Sequence, residues 1–95
     1  MIIAAIKMKG RQEKRLEIIQ SLNGFTSKIL EHKGCKYANC YQDINDQDIF
    51  YHVQEWQSQE EFDAHRDSKL FAALLGLQSI LAAEPQIDFM YRNGD

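Results

Sequence analysis

The stretch CKYANCYQDINDQDIFYHVQEW, Cys35 to Trp56, decides the fold. Its flanks are rich in aromatic and apolar residues. Its middle, Asp43-Ile44-Asn45-Asp46-Gln47-Asp48, is a polar turn. The pattern predicts two antiparallel strands, 35–42 and 49–56. In the second strand Ile49, Tyr51 and Val53 share one face, and Phe50, His52 and Trp56 the other. On a regular first strand Cys35 and Cys40 stand roughly 17 Å apart and point to opposite faces. Neither the distance nor the direction suits a disulfide, so both read as reduced thiols.

Upstream of the hairpin, Ile18, Leu22, Phe25 and Ile29 step by four, three and four residues, one face of a helix within 11–33. His32 and Lys33 suit the negative end of that helix, and Gly34 suits its C′ position. Gly24 is a weak point inside it, costing about 1 kcal/mol relative to Ala. Met1–Met8 reads as a strand and Lys9-Gly10-Arg11 as a turn. Downstream, Ser58-Gln-Glu-Glu61 is a capping box opening a short helix to about Arg66. Asp67 or Ser68 caps a further helical segment with the stripe Leu70, Phe71, Leu74, Leu75, Leu77 and Leu81, closed by Pro85. Gln86–Arg92 is the last strand. The order β-α-β-β-α-β is ferredoxin-like: a single α+β domain over residues 1–95, an antiparallel sheet with helices on one face.

The outer strands add a second expectation. The first strand offers Ile2, Ala4, Ile6 and Met8 on one side and Ile3 and Ala5 on the other. The last offers Ile87, Phe89 and Tyr91 against Met90. A sheet with one wet face alternates apolar with polar; these strands are apolar on both sides, and helices cover only one. A second copy of the same sheet is the simplest cover, so a homodimer is expected. With 95 residues, a lone domain buries only about 60–65% of its unfolded surface, which points the same way.

Hydrophobic residues make up 44% and charged residues 26% of the chain, the balance of an ordinary globular protein. A net charge of −3 gives no general attraction for nucleic acid or an anionic membrane. The longest apolar run, Met1–Ile6, is far short of the ~20 residues a membrane span needs. The start turns basic only after its apolar run, unlike a signal peptide, so a cytoplasmic location is expected. His32, His52, His65, Cys35 and Cys40 lack the short paired spacing of a zinc site, and no glycine-rich phosphate loop occurs. Lys7, Lys9, Arg11, Lys14 and Arg15 crowd the start of the first helix; they read as a solvated face or, more sharply, as an anion contact.

Glu55-Trp56, His65, Ser68-Lys-Leu-Phe71, Leu75 and Pro85 before a short strand, with Gly34-Cys35 opening the second strand, resemble the antibiotic biosynthesis monooxygenase (ABM) domain family. The resemblance covers nearly the whole chain and implies a dimeric α/β barrel. It also implies one of several activities. The haem-degrading pattern has an Asn on the first strand, a Trp on the first part of the split helix and a His on the second part. This chain has no Asn in 1–8, His65 about where that Trp stands, and no His between Ser68 and Ala83, so haem degradation is rejected. The pattern of the metal-free, flavin-free monooxygenases fits better, through Trp56 and His65. Polyketide-oxidising members carry an Asn four residues before the Trp; here that position is His52.

The chemistry implied is oxygenation without a cofactor. A base removes a proton from an electron-rich substrate, the anion reduces O₂ by one electron, and the radicals recombine. This needs a base, oxyanion donors and a dry aromatic pocket. His65 and His52 are the candidate catalytic groups; Trp56, Tyr51, Phe62 and Phe71 are the candidate walls for a quinol-like or polyphenolic substrate. Each has a plainer reading beside it: Trp56 as core or interface, the histidines as hydrogen-bonded helix or strand residues, Glu55 as a salt-bridge partner. Two other functions share the pocket: proton transfer or isomerisation of a small carbonyl compound, and non-catalytic small-molecule binding.

Overall fold

The computed structural model describes residues 1–69, 72, 80–83 and 85–91. Alternation along the first strand, β1 (Ile2–Lys9), sends Ile2, Ala4, Ile6 and Met8 inward, all buried. A single 3₁₀ turn, Gln12–Lys14, leads into helix α1 (Arg15–Ile29), which buries the expected stripe of Ile18, Leu22, Phe25 and Ile29. β2 (Cys35–Gln42) and β3 (Ile49–Trp56) follow, then helix α2 (Gln59–Arg66) and strand β4 (Gln86–Tyr91). The sheet order is β2-β3-β1-β4 with every pair antiparallel, the ferredoxin-like α+β arrangement. The helices' buried residues pack with the inward residues of β1 and β3 into one apolar core.

Two details depart from the sequence reading. Helix α1 ends at Ile29 with Leu30 as its cap, and tight turns then carry the chain to Gly34. Gly34 is therefore not the residue that stops the helix. It holds φ +87° at the start of β2, a conformation that favours glycine. The side chain of Glu61 lies against its Cα, where any Cβ would collide. The second departure is a register shift between Cys35 and Tyr37. The extra residue restores the face: Cys35 pairs with Trp56 and Cys40 with His52, so both thiols lie on the helix side, not on opposite faces. Both are free thiols. They stand against positions four apart on β3, about 14 Å along a strand, so separation alone keeps them unbridged.

Four of the five residues of the basic cluster, Lys9, Arg11, Lys14 and Arg15, are engaged within the fold. Arg15 donates through Nε and Nη2 to Asp48 Oδ1, at 3.1 and 3.0 Å, and through Nη1 to Gln47 Oε1, tying α1 to the β2–β3 turn. Lys9 pairs with Asp46, Lys14 with Glu17, and Arg11 donates to the Leu81 carbonyl. Asp43 organises the turn by accepting from the Asn45 and Asp46 amides; those bonds hold its carboxyl below the usual carboxylate range. Of the expected second helical stripe, Leu81 is described and buried; Leu70, Phe71, Leu74, Leu75 and Leu77 lie outside the described residues. Among the described residues no helix is long and apolar enough to cross a membrane.

The opposite sheet face carries Ile3 and Ala5 from β1, Ile49, Tyr51 and Val53 from β3, Tyr37 and Tyr41 from β2 and Met90 from β4, by register. Lys7, Asn39, Glu55, Gln86 and Asp88 share this face by register, and with Met90 60% and Tyr41 45% exposed it is a mixed apolar and polar face, open in the single chain.

Candidate functional site

Trp56 ends β3 and points under the helices, fully buried. Helix α2 starts three residues later, where the Ser58 hydroxyl accepts from the Glu61 amide and caps it. That start places Phe62 and His65, one turn apart, on the sheet-facing side of α2. His65 then lies on Trp56: ring centroids 4.7 Å apart, planes 21° apart. Phe62 meets Trp56 edge-on at 6.1 Å, and Phe89 of β4 meets Phe62 edge-on at 5.3 Å. Phe25 of α1 stands 6.3 Å from His65. His32, in the turn after α1, stands perpendicular to His65 at 5.3 Å and to Trp56 at 6.5 Å.

His52 sits two pairs along β3, its ring edge-on to Phe25 at 4.9 Å. Its Nε2 is 2.8 Å from Thr26 Oγ1 and its Nδ1 3.2 Å from Gln54 Nε2. Gln54 Oε1 accepts from the Trp56 indole N–H at 3.0 Å, and the Thr26 hydroxyl donates to the Leu22 carbonyl at 2.8 Å. Burial drives the pKa of His52 down to about 4. Burial does the same to His65, also to about 4, with the charges of His32 and His52 adding to the effect. Both rings are therefore neutral at pH 7.

The edge of His65 reaches a cleft of about 330 Å³ lined by His32, Lys33, Glu60, Glu61, Ala64 and His65. Of the stacked rings only His65 reaches the cleft, with Trp56 and Phe62 buried behind it; its imidazole gives a proton acceptor, His32 and Lys33 give donors, and Glu60 and Glu61 give carboxylates at the same cleft. Among the described residues no group of His, Cys, Asp and Glu is arranged to hold a metal ion.

The fold thus brings together His65, Trp56 and Phe62 of the expected set, with His52 two same-face positions along β3 from Trp56. Tyr51 is not brought in. Strand alternation turns it to the opposite sheet face, where its hydroxyl donates to Asp43. Phe71 lies outside the described residues. Sequence reasoning missed Gln54, Thr26, Phe25 and His32 as site residues. Gln54 was readable from period two, since 50, 52, 54 and 56 share a face. Thr26 was readable as the neighbour of Leu22 one helical turn on. His32 had no local signal, because its place depends on where α1 ends.

A ferredoxin-like sheet with a buried aromatic and imidazole cluster under its helices defines a class of small α+β proteins. The model of the antibiotic biosynthesis monooxygenase family matches residues 1–76, and the chain belongs to that family. No curated protein matches it in sequence. Solved structures share its fold. A conserved protein from Methanosarcina mazei Go1 superposes with TM-score 0.88 at 22% identity, covering 97% of this chain and 92% of that one. An antibiotic biosynthesis monooxygenase superposes with TM-score 0.86 at 16% identity, over 97% and 98% of the two chains. Rv0793 from Mycobacterium tuberculosis gives 0.87 at 13% identity, over 99% and 96%.

Proposed function

We propose that this chain is a cofactor-independent monooxygenase of a quinol-like or polyphenolic small molecule, working as a cytoplasmic homodimer. The observation that carries the reading is the buried Trp56–His65 stack with His65 at the floor of a cleft. Family membership supports oxygenation over other chemistry. A cleft of 330 Å³ lies at the small end of the roughly 300–1,000 Å³ range of ligand sites, which favours one or two rings.

In this reading the substrate lies against His65, which takes its phenolic proton. Its pKa of about 4 keeps His65 unprotonated and available as an acceptor at neutral pH. The imidazolium formed is then held by the phenolate beside it in a dry pocket. The phenolate gives one electron to O₂, and the radical pair recombines at a free ring carbon. Loss of water leaves the quinone. One oxygen atom enters the product and the other leaves as water, and the phenol supplies all four electrons. His52, with both nitrogens engaged inside the protein, acts by orienting its neighbours rather than as the base.

Aerobic turnover of a quinol and naphthol panel by purified, metal-free protein tests the reading. Turnover is expected in air and none under nitrogen. Equal rates in both would favour proton transfer or isomerisation instead.

A further inference from the structure

The hydrogen bonds that run beneath the stack can be written in only one direction. An indole N–H only donates, so Gln54 must offer Oε1 to Trp56, and its amide then turns Nε2 towards His52. A neutral His52 must accept at Nδ1 and so carries its proton on Nε2. The Thr26 hydroxyl spends its single proton on the Leu22 carbonyl, so it accepts from that Nε2–H. The chain is therefore Trp56 to Gln54 to His52 to Thr26 to Leu22, with a donor-only group at one end and an acceptor-only group at the other. Gln54 and His52 are fully buried, and Gln54, which joins the indole to His52, needs both a donor and an acceptor there. Glu offers only acceptors, Lys only donors, and Met neither.

We propose that Gln54 is a positioning residue, anchoring the indole edge of Trp56 through this relay so that its face meets His65 and a flat ring bound beside them. The proposal rests on the reading that the Trp56–His65 pair forms the substrate site. It adds that the orientation of the pair is set from below, by β3 and α1, and not by α2 alone. The relay spans the Cβ positions of 52, 54 and 56 on one strand face, so it resists rotation of the indole about its side-chain torsions.

Trp56 is the one tryptophan of the chain, so its indole N–H resonance and its fluorescence report this site alone. The test compares Gln54→Met and Gln54→Glu with the native protein. Gln54→Met removes both ends of the link. Its indole N–H resonance is expected to move upfield, its exchange with solvent to quicken at least about ten-fold, and kcat on the best phenol to fall about ten-fold with KM changed far less. Gln54→Glu keeps the acceptor for the indole but loses the donor to His52 Nδ1, so its indole resonance is expected to stay nearer the native position than that of Gln54→Met, with kcat between the two. An unchanged indole resonance and exchange rate in folded Gln54→Met would overturn the proposal. So would a Gln54→Glu protein that loses the indole bond, and that result decides the matter even if Gln54→Met fails to fold. If the indole responds as stated while no phenol is turned over in any variant, the positioning role stands and the monooxygenase reading fails. If turnover is found but Gln54→Met leaves kcat intact, the converse holds.

Discussion

The imidazole of His65 lies on the indole of Trp56, 4.7 Å between centroids and 21° from parallel, with neither ring open to solvent from its face. One comes from the last residue of β3 and the other from the last turn of α2. Their contact therefore joins sheet to helix at the point where a flat substrate is proposed to bind.

Acid should weaken the fold through the two buried rings. His52 and His65 are held at about 4, below the ordinary 6.5. Between those values the unfolded chain takes up protons that the folded chain refuses. Stability is thus full above pH 6.5 and falls as pH drops towards 4, by up to about 3 kcal/mol for His52 and less for His65, part of whose shift comes from the neighbouring histidines. His32, Lys33, Glu60 and Glu61 border the same cleft, and Arg66 stands 5.9 Å from the Phe62 ring, so each can modulate the size of the drop. Urea midpoints at pH 7 and pH 5 check the direction; a higher midpoint at pH 5 would contradict it.

The same shift sets the acid limb of activity. kcat/KM reports the free enzyme, so its acid limb should lie well below pH 6 if His65 is the base. A limb centred near 6.5 would assign the proton transfer to an exposed group.

Gly24→Ala should stabilise the protein. A Cβ there meets nothing within 4 Å, and α1 continues through the position. The gain is up to about 1 kcal/mol, or a Tm rise of about 4–8 °C in a domain this size. Gly10→Ala should do the reverse, because its Cβ would run into Ile18 Cδ1. Calorimetry of both variants reads the contrast.

The open sheet face should be covered by a second chain. Sedimentation at micromolar concentration should give twice the chain mass, and Val53→Glu, at the centre of that face, should give one. A monomeric native protein would remove the dimer from the account.

Arg11→Ala and Lys14→Ala should leave ligand binding unchanged, since Arg11 bonds the Leu81 carbonyl and Lys14 pairs with Glu17. Loss of up to about 1 kcal/mol of stability is the whole effect expected of such exposed contacts. A loss of affinity in a direct binding titration would revive the anion-contact reading.

What could be read ahead of the structure followed from periodicity. The stripe of α1, the alternation of β3 and the Ser58 cap are local patterns, and each appears where the residues say. Cys35 and Cys40 show the limit of that reading: a single extra residue in β2 moves Cys35 to the other face, and Gly34 just before it reads equally well as a helix stop. The end of α1 was misjudged because His32, Lys33 and Gly34 look like a helix terminus, whereas the chain already leaves the helix at Leu30 and uses Gly34 to make room for Glu61. Gln54 was passed over for being an uncharged polar residue between two more reactive ones. Its importance lies in joining His52 to Trp56, which is a property of three side chains together.

Isotopically labelled dioxygen gives the most direct measurement of the central claim. Metal-free protein turning over a phenol under labelled O₂ should place one labelled atom in the quinone and the other in water, and His65→Ala should abolish that incorporation while leaving the protein folded. Product without label, or labelled product formed at the native rate by His65→Ala, would contradict the account.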